Sequence, residues 1–316
     1  MASTLQNLFT FAFVITSMLS MGLSLTVSQI LQPLRNPRLV IMALAANFVV
    51  VPAVAFALSR IIPLEQDVQI GLLLLGTAAG APFLPKLAQI AKANIAFAVG
   101  LMTMLIVVTI IYLPIVLPLL LPGVEVDAGK IAVLLIVQML VPLIIGLLVK
   151  ARYEGAAETL QPVMAQVANV SLALLLVMML ALNFSNVIAL FGTGAIIATL
   201  LFVATSVVAG YFLGGPATDN KRVLALGTGQ RNLAASFLIA GSSFADQPNV
   251  LVYLAAAGLV ATVVMFPTAA EFGKRSETAP EPETAPGVPT AAEEPETAPE
   301  PETAPGSAAT SVSNKP

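Results

Sequence analysis

Long apolar stretches with almost no charge recur along this chain from residue 6 to residue 270. Of its 316 residues, 58% are hydrophobic and only 10% are charged, whereas soluble domains carry about a quarter charged residues. A helix needs about 20 apolar residues to cross the hydrocarbon core of a bilayer, and each stretch is at least that long. The sequence therefore predicts an all-α polytopic membrane protein.

Charges and clusters of Pro and Gly divide residues 1–275, the predicted transmembrane domain, into nine spans. The first span has no basic residue before it and no small-residue cleavage site, which argues against a cleaved signal peptide. The predicted spans are about 6–29, 38–60, 68–91, 94–121, 130–149, 160–182, 187–213, 222–244 and 249–270.

Basic residues are unevenly divided between the loops on the two sides. The loops after spans 1, 3, 5 and 7 and the segment after span 9 hold nine Lys and Arg, whereas the loops after the even-numbered spans hold two. Cytoplasmic loops carry the excess of Lys and Arg in membrane proteins. This bias predicts an N-terminus outside and a C-terminus in the cytoplasm. The expected location is a plasma membrane, and within that class a bacterial inner membrane.

Residues 276–316 differ from the rest of the chain. They hold eight Glu and one Lys, and "ETAPEPETAPG" occurs at 277–287 and again at 296–306. A segment rich in Pro, Glu, Ala and Thr cannot bury enough apolar surface to offset the entropy of ordering. We expect a disordered acidic cytoplasmic tail, and the alternative is a segment that docks a cytoplasmic partner.

Two basic residues lie at membrane depth, Lys86 in the third span and Arg231 in the eighth, whereas every Asp and Glu of residues 1–275 lies in a loop or at a span end. A charge at the bilayer centre costs at least about 2.5–3.5 kcal/mol, so such residues usually face a polar cavity and mark function. The structural alternatives are that Lys86 extends to the lipid headgroups and that Arg231 binds carbonyl groups freed by a helix break.

Both basic residues lie in irregular spans. Proline removes a backbone donor and glycine weakens a helix, and helices interrupted at matching places in two halves indicate the midplane site of a secondary transporter. "LGT" occurs at the corresponding point of each span, at 75–77 and 226–228. The residues predicted to break the helices are Gly76, Gly80, Pro82 and Pro85 in "GTAAGAPFLPKLAQIA", and Gly227 and Gly229 in "GTGQRN".

Three runs resemble the bile acid:sodium symporter family: residues 21–59, "GLLLLGTAAGAPFLPKLAQIAKAN" at 71–94, and "GTGQRNLAASF" at 227–237. The resemblance covers most of residues 1–275. It implies an inverted-repeat core domain with two broken, crossing helices beside a smaller panel domain. Bacterial members of known fold have ten spans, so we expect this chain to correspond to the nine-spanning members.

The resemblance also implies where sodium ligands would lie, and most of them are missing. The family's Ser–Asn pair falls on Leu84 and Pro85, and its hydroxyl positions on the next span fall on Ala98 and Met102. Its Glu and Gln fall on Gly227 and Arg231, although a shift by one residue would align Gln230 with the Gln. An Asn that follows and a polar residue on the second span are kept as Asn232 and Asn47.

Sodium is a hard cation that prefers several oxygen ligands, and two fixed cations stand near where it would bind. The hypothesis is that Arg231 and Lys86 replace sodium and that Arg231 binds a small organic anion through two parallel hydrogen bonds. A buried Lys86 would also be able to carry a proton. The predicted substrate-binding residues are Arg231, Asn232, Gln230, Lys86, Thr77, Thr228 and Asn47.

Other classes of protein are weighed against this hypothesis. An enzyme is disfavoured because the chain has no His, no Cys and no carboxylate at membrane depth, which leaves little acid–base or nucleophilic chemistry. No cofactor and no nucleic-acid partner is expected, and a bound sodium ion is disfavoured. The alternatives are a sodium-coupled organic anion symporter and a non-transporting membrane receptor or scaffold. A transporter should keep a cavity joining Lys86 to Arg231, and a scaffold should close it.

Overall fold

The computed structural model describes residues 2–26, 28–29, 36–121, 124 and 126–277. Within these residues the secondary structure is helical and contains no β-strand. The helices are α1 (Ala2–Ser24), α2 (Pro37–Ala45), α3 (Val51–Ile61), α4 (Gln66–Thr77), α5 (Leu84–Ile90), α6 (Ile95–Leu120), α7 (Ala128–Leu135), α8 (Val141–Arg152), α9 (Glu154–Leu182), α10 (Phe184–Gly192), α11 (Ala195–Leu213), α12 (Thr218–Gly229), α13 (Leu233–Ser243) and α14 (Pro248–Glu277).

Seven helical stretches of the described chain are long and apolar enough to cross a membrane. They overlap seven of the nine predicted spans, and with the exposed apolar surface described below they confirm a polytopic all-α membrane protein. The stretches are Thr4–Ser24, Pro37–Ile61, Ile95–Leu120, Ala128–Arg152, Glu154–Leu182, Ala195–Leu213 and Pro248–Ser276.

Side-chain caps start several of these helices. Asn36 accepts a hydrogen bond from the amide of Leu39 at 3.2 Å, and Asn94 accepts one from Phe97 at 2.9 Å. Asp127 caps α7 in the same way through Lys130, at 3.0 Å. Each cap satisfies an amide that would otherwise have no partner in the first helical turn.

Two long stretches contain a π-helical turn before a Val-Pro pair. Ala46–Val50 joins α2 to α3 ahead of Pro52, and Ile136–Leu140 joins α7 to α8 ahead of Pro142. Proline has no amide hydrogen and its ring crowds the preceding turn, and π-turns inside helices occur frequently at functional sites. The first of these turns carries Asn47, whose side chain is discussed below.

The two remaining predicted spans are each broken into two helices. The third span consists of α4 and α5, separated by residues 78–83, and the eighth consists of α12 and α13, separated by residues 230–232. Gly227 and Gly229 lie inside α12, so the second break begins one residue after the predicted glycines. These glycines serve packing instead: a Cβ on Gly229 would lie 2.5 Å from Cγ2 of Val207.

The helices pack as two groups. Helix α1 lies against α8 and α9, while α3, α6, α11 and α14 pack against the broken spans α4–α5 and α12–α13. Helices α1 and α8 cross at two glycines, where a Cβ on Gly22 would lie 2.9 Å from Cα of Gly146. Such small-residue crossings let membrane helices approach closely. We call α1, α8 and α9 the panel group and the others the core group.

Large apolar side chains remain exposed on the outside of the bundle. Phe212 is 79% exposed and Leu119 is 74% exposed, which suits a surface covered by lipid. Helix α14 continues to Glu277, so the first two residues of the predicted tail are helical. The rest of that tail lies outside the described residues, as does Arg35 of the first loop.

Candidate functional site

The first break is held open by a hydroxyl group of α6. Thr109 Oγ1 accepts a hydrogen bond from the amide of Ala79 at 3.1 Å and lies 3.0 Å from the carbonyl oxygen of the same residue, to which it donates. Gly80 follows with φ +81°, and a Cβ there would lie 2.6 Å from the amide nitrogen of Ile106. Only glycine fits this conformation and this close approach to α6. Pro85, in the first turn of α5, restarts the helix.

The two breaks are joined to each other by Asn232. Its amide donates to the carbonyl of Ala78 at 2.9 Å, and its side chain donates to the carbonyl of Ala79 at 3.4 Å. Its Oδ1 also accepts from the amide of Ala235 at 3.1 Å, which caps α13. The second break therefore satisfies backbone groups that the first break leaves without helical partners, as irregular backbone at membrane depth requires.

Arg231 lies at this junction and is only 4% exposed. Its Nε donates to the carbonyl of Leu75 at 2.9 Å, and its Nη2 donates to that of Gly76 at 2.7 Å. Its Nη1 donates to Asn47 Oδ1 at 2.9 Å and to the carbonyl of Thr228 at 3.4 Å. Four oxygen atoms therefore surround one guanidinium group, and two of them belong to the last turn of α4.

Asn47 and Thr228 complete this arrangement from two other helices. Asn47 Nδ2 donates to the carbonyl of Ala43 at 3.0 Å and to Thr228 Oγ1 at 3.4 Å, and Thr228 Oγ1 donates to Leu224 at 2.6 Å. Within the described part of the chain, Thr77 Oγ1 donates only to carbonyls of its own helix, at 2.7 and 3.2 Å. Asn47, Thr77, Thr228 and Asn232 are all fully buried.

The other positions at which the family resemblance places sodium ligands are apolar and packed. A Cβ on Gly227 would lie 2.9 Å from Leu84 Cδ2 and 3.4 Å from Leu101 Cδ2. Leu84 and Ala98 are fully buried and Met102 is 2% exposed. Leucine methyl groups thus occupy the space beside Gly227, where the family's carboxylate would lie.

A cavity of about 610 Å³ separates the panel group from the junction of the breaks. Lys86, Gln230 and Arg231 line its core side, and no acidic residue of the described chain lines it. Its polar panel-side residues are Ser17, Ser20 and Ser24 of α1, and Gln161 and Asn169 of α9; Gln29, which follows α1, also lines it.

Three of the seven predicted substrate-binding residues therefore reach the cavity: Lys86, Gln230 and Arg231. Lys86 is exposed and donates to Gln89 Oε1 at 3.1 Å. It therefore lacks, in this conformation, the burial that the proton-carrier hypothesis assumes. The side-chain amide of Gln230 has no hydrogen-bond partner within the described part of the chain. The guanidinium of Arg231 is directed to protein oxygens, and its contact with a substrate stays a prediction.

The polar residues on the panel side were missed by the sequence reasoning. Ser17, Ser20 and Ser24 follow one another at helical spacing and so occupy one face of α1. That periodic signal was available in "SMLSMGLS". Gln161 Nε2 donates to Ser20 Oγ at 3.3 Å, whereas Asn169 is exposed and carries no sequence signal that points to a cavity.

Comparison with known proteins gives distant but consistent relatives. The chain is 24% identical over 261 residues to the probable sodium/metabolite cotransporter BASS3, chloroplastic, of Arabidopsis thaliana, covering 81% of this chain and 60% of that protein. It is 26% identical over 234 residues to the corresponding BASS2 protein of Oryza sativa subsp. japonica, covering 72% of this chain and 55% of that protein. An uncharacterized sodium-dependent transporter of Bacillus subtilis, YocS, is 26% identical over 134 residues, or 42% of each chain.

The chain spans only about 55–60% of the length of these plant relatives. The sequence model of the Sodium Bile acid symporter family, by contrast, matches residues 11–190. That match covers more than half of the chain and includes the C-terminal part of α1 and the first break. The chain therefore belongs to the Sodium Bile acid symporter family.

Proposed function

We propose that this protein carries a small organic anion across the membrane by alternating access, and that it does so without sodium. Membership of the family supports transport, since the relatives named above are described as cotransporters or transporters. One observation carries the proposal further: Lys86 and Arg231 line a single cavity that no acidic residue of the described chain enters.

The charge of the cavity favours an anion. Arg231 is buried, so its charge is screened less than it would be in water, and Lys86 adds a second positive charge to the same cavity wall. Lys86 is the more available of the two, since its recorded contact is with the neutral side chain of Gln89. The cavity volume of about 610 Å³ falls within the range of small-molecule sites.

Independence from sodium is supported by the junction of the breaks. The guanidinium of Arg231 brings a permanent positive charge to four oxygens, at 2.7–3.4 Å. An arrangement of carbonyl and amide oxygens of this kind is what a hard cation prefers. The space beside Gly227, where the family resemblance places a carboxylate, is filled by methyl groups of Leu84 and Leu101. Coupling to protons is tested below with a pH gradient.

The test is uptake by the purified full-length protein in liposomes. Labelled pantoate, pyruvate and taurocholate would be offered with and without a sodium gradient, and then with a pH gradient, with protein-free liposomes as the control. We expect uptake of at least one anion that does not respond to sodium. A response to the pH gradient would assign the coupling to protons.

Two outcomes would contradict the proposal. Sodium-driven uptake would mean that the chain couples to sodium, as the names of its relatives describe. Absence of uptake and of binding for every anion, with the protein folded and monodisperse, would favour the receptor or scaffold alternative.

A further inference from the structure

A second cavity, of about 440 Å³, lies where three helices reach one end of the bundle. The start of α2, the end of α11 and the start of α12 form its walls. The loop between α11 and α12 turns at Gly214, Gly215 and Pro216, and Gly215 has φ +77°. This cavity is separate from the one that joins Lys86 to Arg231, and the proposed function does not use it.

The polar side of this cavity is cationic. Arg38 is exposed and has no partner within the described residues. Lys221 Nζ stands 5.8 Å from the ring centroid of Tyr211, a cation–π contact that leaves its hydrogen-bond donors available. Asn36 and Asn220 also line the cavity, and Asn220 makes no side-chain hydrogen bond to another described residue. Asn36 Oδ1 is used by the amide of Leu39.

No acidic residue of the described chain lines this cavity. The acidic side chain nearest in sequence to Lys221 is Asp219, and its carboxylate is 3.7 Å from Arg222 Nη1. Arg222 is itself buried and also donates to Ser276. The charges of Arg38 and Lys221 are therefore not neutralised by a carboxylate on the cavity wall.

The other side of the cavity is apolar. It is formed by Leu39 and Met42 of α2 and by Phe212 and Leu213 of α11. Phe212 is 79% exposed on the outer surface of the bundle. The cavity thus lies at the ends of two apolar stretches, Pro37–Ile61 and Ala195–Leu213, where the hydrocarbon of a bilayer gives way to headgroups.

We propose that this second cavity binds the headgroup of an anionic phospholipid. The phosphate would lie between Arg38 and Lys221, and the acyl chains would run along Met42 and Phe212. Basic pockets between membrane helices at the headgroup level bind anionic lipids in this way. The continuous apolar wall favours a lipid over a soluble phosphate, because a soluble anion has no group that would cover Phe212.

The experiment is native mass spectrometry of the full-length protein released from detergent micelles that contain a known lipid. The probes are phosphatidylglycerol, which is anionic, and phosphatidylcholine, which is zwitterionic. We expect one phosphatidylglycerol per chain to be retained and phosphatidylcholine to be lost. This comparison uses the unaltered protein and does not depend on the folding of any variant.

Variants then locate the site. Arg38→Gln and Lys221→Gln should each lower the affinity for phosphatidylglycerol about fivefold, and together about twentyfold, since each cation near a membrane surface contributes on a similar scale. Arg60→Gln is the matched control, because Arg60 also stands over an aromatic ring, 5.0 Å from the centroid of Phe56. It lies at the other end of the second predicted span and should leave lipid retention unchanged.

Three results would overturn the proposal. Equal retention of the two lipids would remove the charge selectivity on which it rests. An equal loss on Arg60→Gln would show a general effect of surface charge. Displacement of phosphatidylglycerol by inorganic phosphate at a similar concentration would make this a site for a soluble anion.

Discussion

At the scale of single residues, Arg231 offers the sharpest experiment. Its side chain satisfies the carbonyls of Leu75 and Gly76, together with Asn47 and Thr228. In a buried site these oxygens have few other hydrogen-bond donors, and a buried polar group without a partner costs about 1–3 kcal/mol. Removing the guanidinium leaves a cluster of oxygens that a small cation is able to fill.

Arg231→Gln should therefore make the stability of the protein depend on sodium. We expect the melting temperature of the variant to fall, and sodium chloride to restore several degrees relative to choline chloride at equal ionic strength, as a ligand that binds the folded state does. The unaltered protein should show no difference between the two salts. Arg231→Lys is the control that keeps a charge at this position while losing the planar fork.

If Arg231→Gln is equally stable in both salts, the four oxygens are not a cation site. The role assigned to Arg231 would then be that of a structural cap on α4. If the variant melts at the same temperature in both salts and still takes up the anion strongly, Arg231 is needed neither for a cation site nor for transport.

Lys86 tests a different part of the proposal, the attraction of the cavity for the substrate. Lys86→Gln removes a charge from the cavity wall and keeps a polar side chain that is one bond shorter. We expect anion affinity to fall about tenfold, the scale of one hydrogen bond to a charged group. The measurement is the concentration dependence of uptake in liposomes.

Arg275→Gln is the charge-matched control for that experiment. Arg275 is exposed, pairs with Glu271 at 2.8 Å and does not line the cavity. Equal losses in the two variants would point to the overall charge of the protein and would contradict a specific role for Lys86.

At the scale of helices, the first break depends on α6. Thr109 gives Ala79 both a donor and an acceptor, at 3.0–3.1 Å, and is itself fully buried. Thr109→Val keeps the shape of the side chain but removes both bonds. The amide of Ala79 would then be buried without a partner, which costs about 1–3 kcal/mol.

We expect Thr109→Val to lower the melting temperature by several degrees and to reduce uptake. Thr109→Ser keeps the hydroxyl group and should behave much more like the unaltered protein. Both variants can be compared by thermal unfolding in detergent and by liposome uptake. Equal loss in the two variants would mean that the methyl group of Thr109 matters, and not its hydrogen bonds.

The two helix breaks differ in how closely the sequence predicts them. The first break follows from Gly80, Pro82 and Pro85, whose backbone restrictions act locally and can be read without a structure. Gly76, which was also predicted to break this span, stays helical within α4. The second break carries no comparable local restriction: Gly227 and Gly229 stay helical, and the backbone extends at Gln230. The sequence therefore predicted that this span is interrupted, but not the position of the break, which depends on partners such as Ala78 and Asn47 that are remote in the sequence.

The same distinction applies to the candidate site. Arg231 and Lys86 were identifiable because a charge in an apolar stretch is costly wherever it points. That Arg231 would bind carbonyl groups freed by a helix break was one of the alternatives drawn from the sequence, and Leu75 and Gly76 supply such carbonyls. Its contact with Asn47 was not identifiable, since Asn47 lies 184 residues away along the chain. The panel wall of the cavity was missed for a related reason: serine and asparagine are common in membrane helices, and only the packing of α1 and α9 against the core group makes them face a cavity.

At the scale of the whole molecule, the cavity between the panel group and the core group lies toward one end of the bundle. Lys86, Ser24 and Gln161 lie toward the membrane end at which α1 finishes and α9 begins. The bias of Lys and Arg between the loops predicts that this end is cytoplasmic. Another cavity, of about 770 Å³, lies at the opposite end and is lined by Lys130, Gln138 and Ser242.

Because the chain contains no Cys, a single introduced cysteine reports accessibility without background. Asn169→Cys on α9 should react with a membrane-impermeant maleimide in inverted vesicles and not in spheroplasts, since Asn169 is exposed and lines the proposed cytoplasmic cavity. Ser242→Cys, in the opposite cavity, should show the reverse pattern.

A transported anion should slow the labelling of Asn169→Cys severalfold, because the anion occupies the same cavity. It should not slow the labelling of Ser242→Cys, which lies in the other cavity. Reversed sidedness for both cysteines would invert the proposed orientation, and labelling of Asn169→Cys that ignores every transported anion would remove this cavity from the transport path.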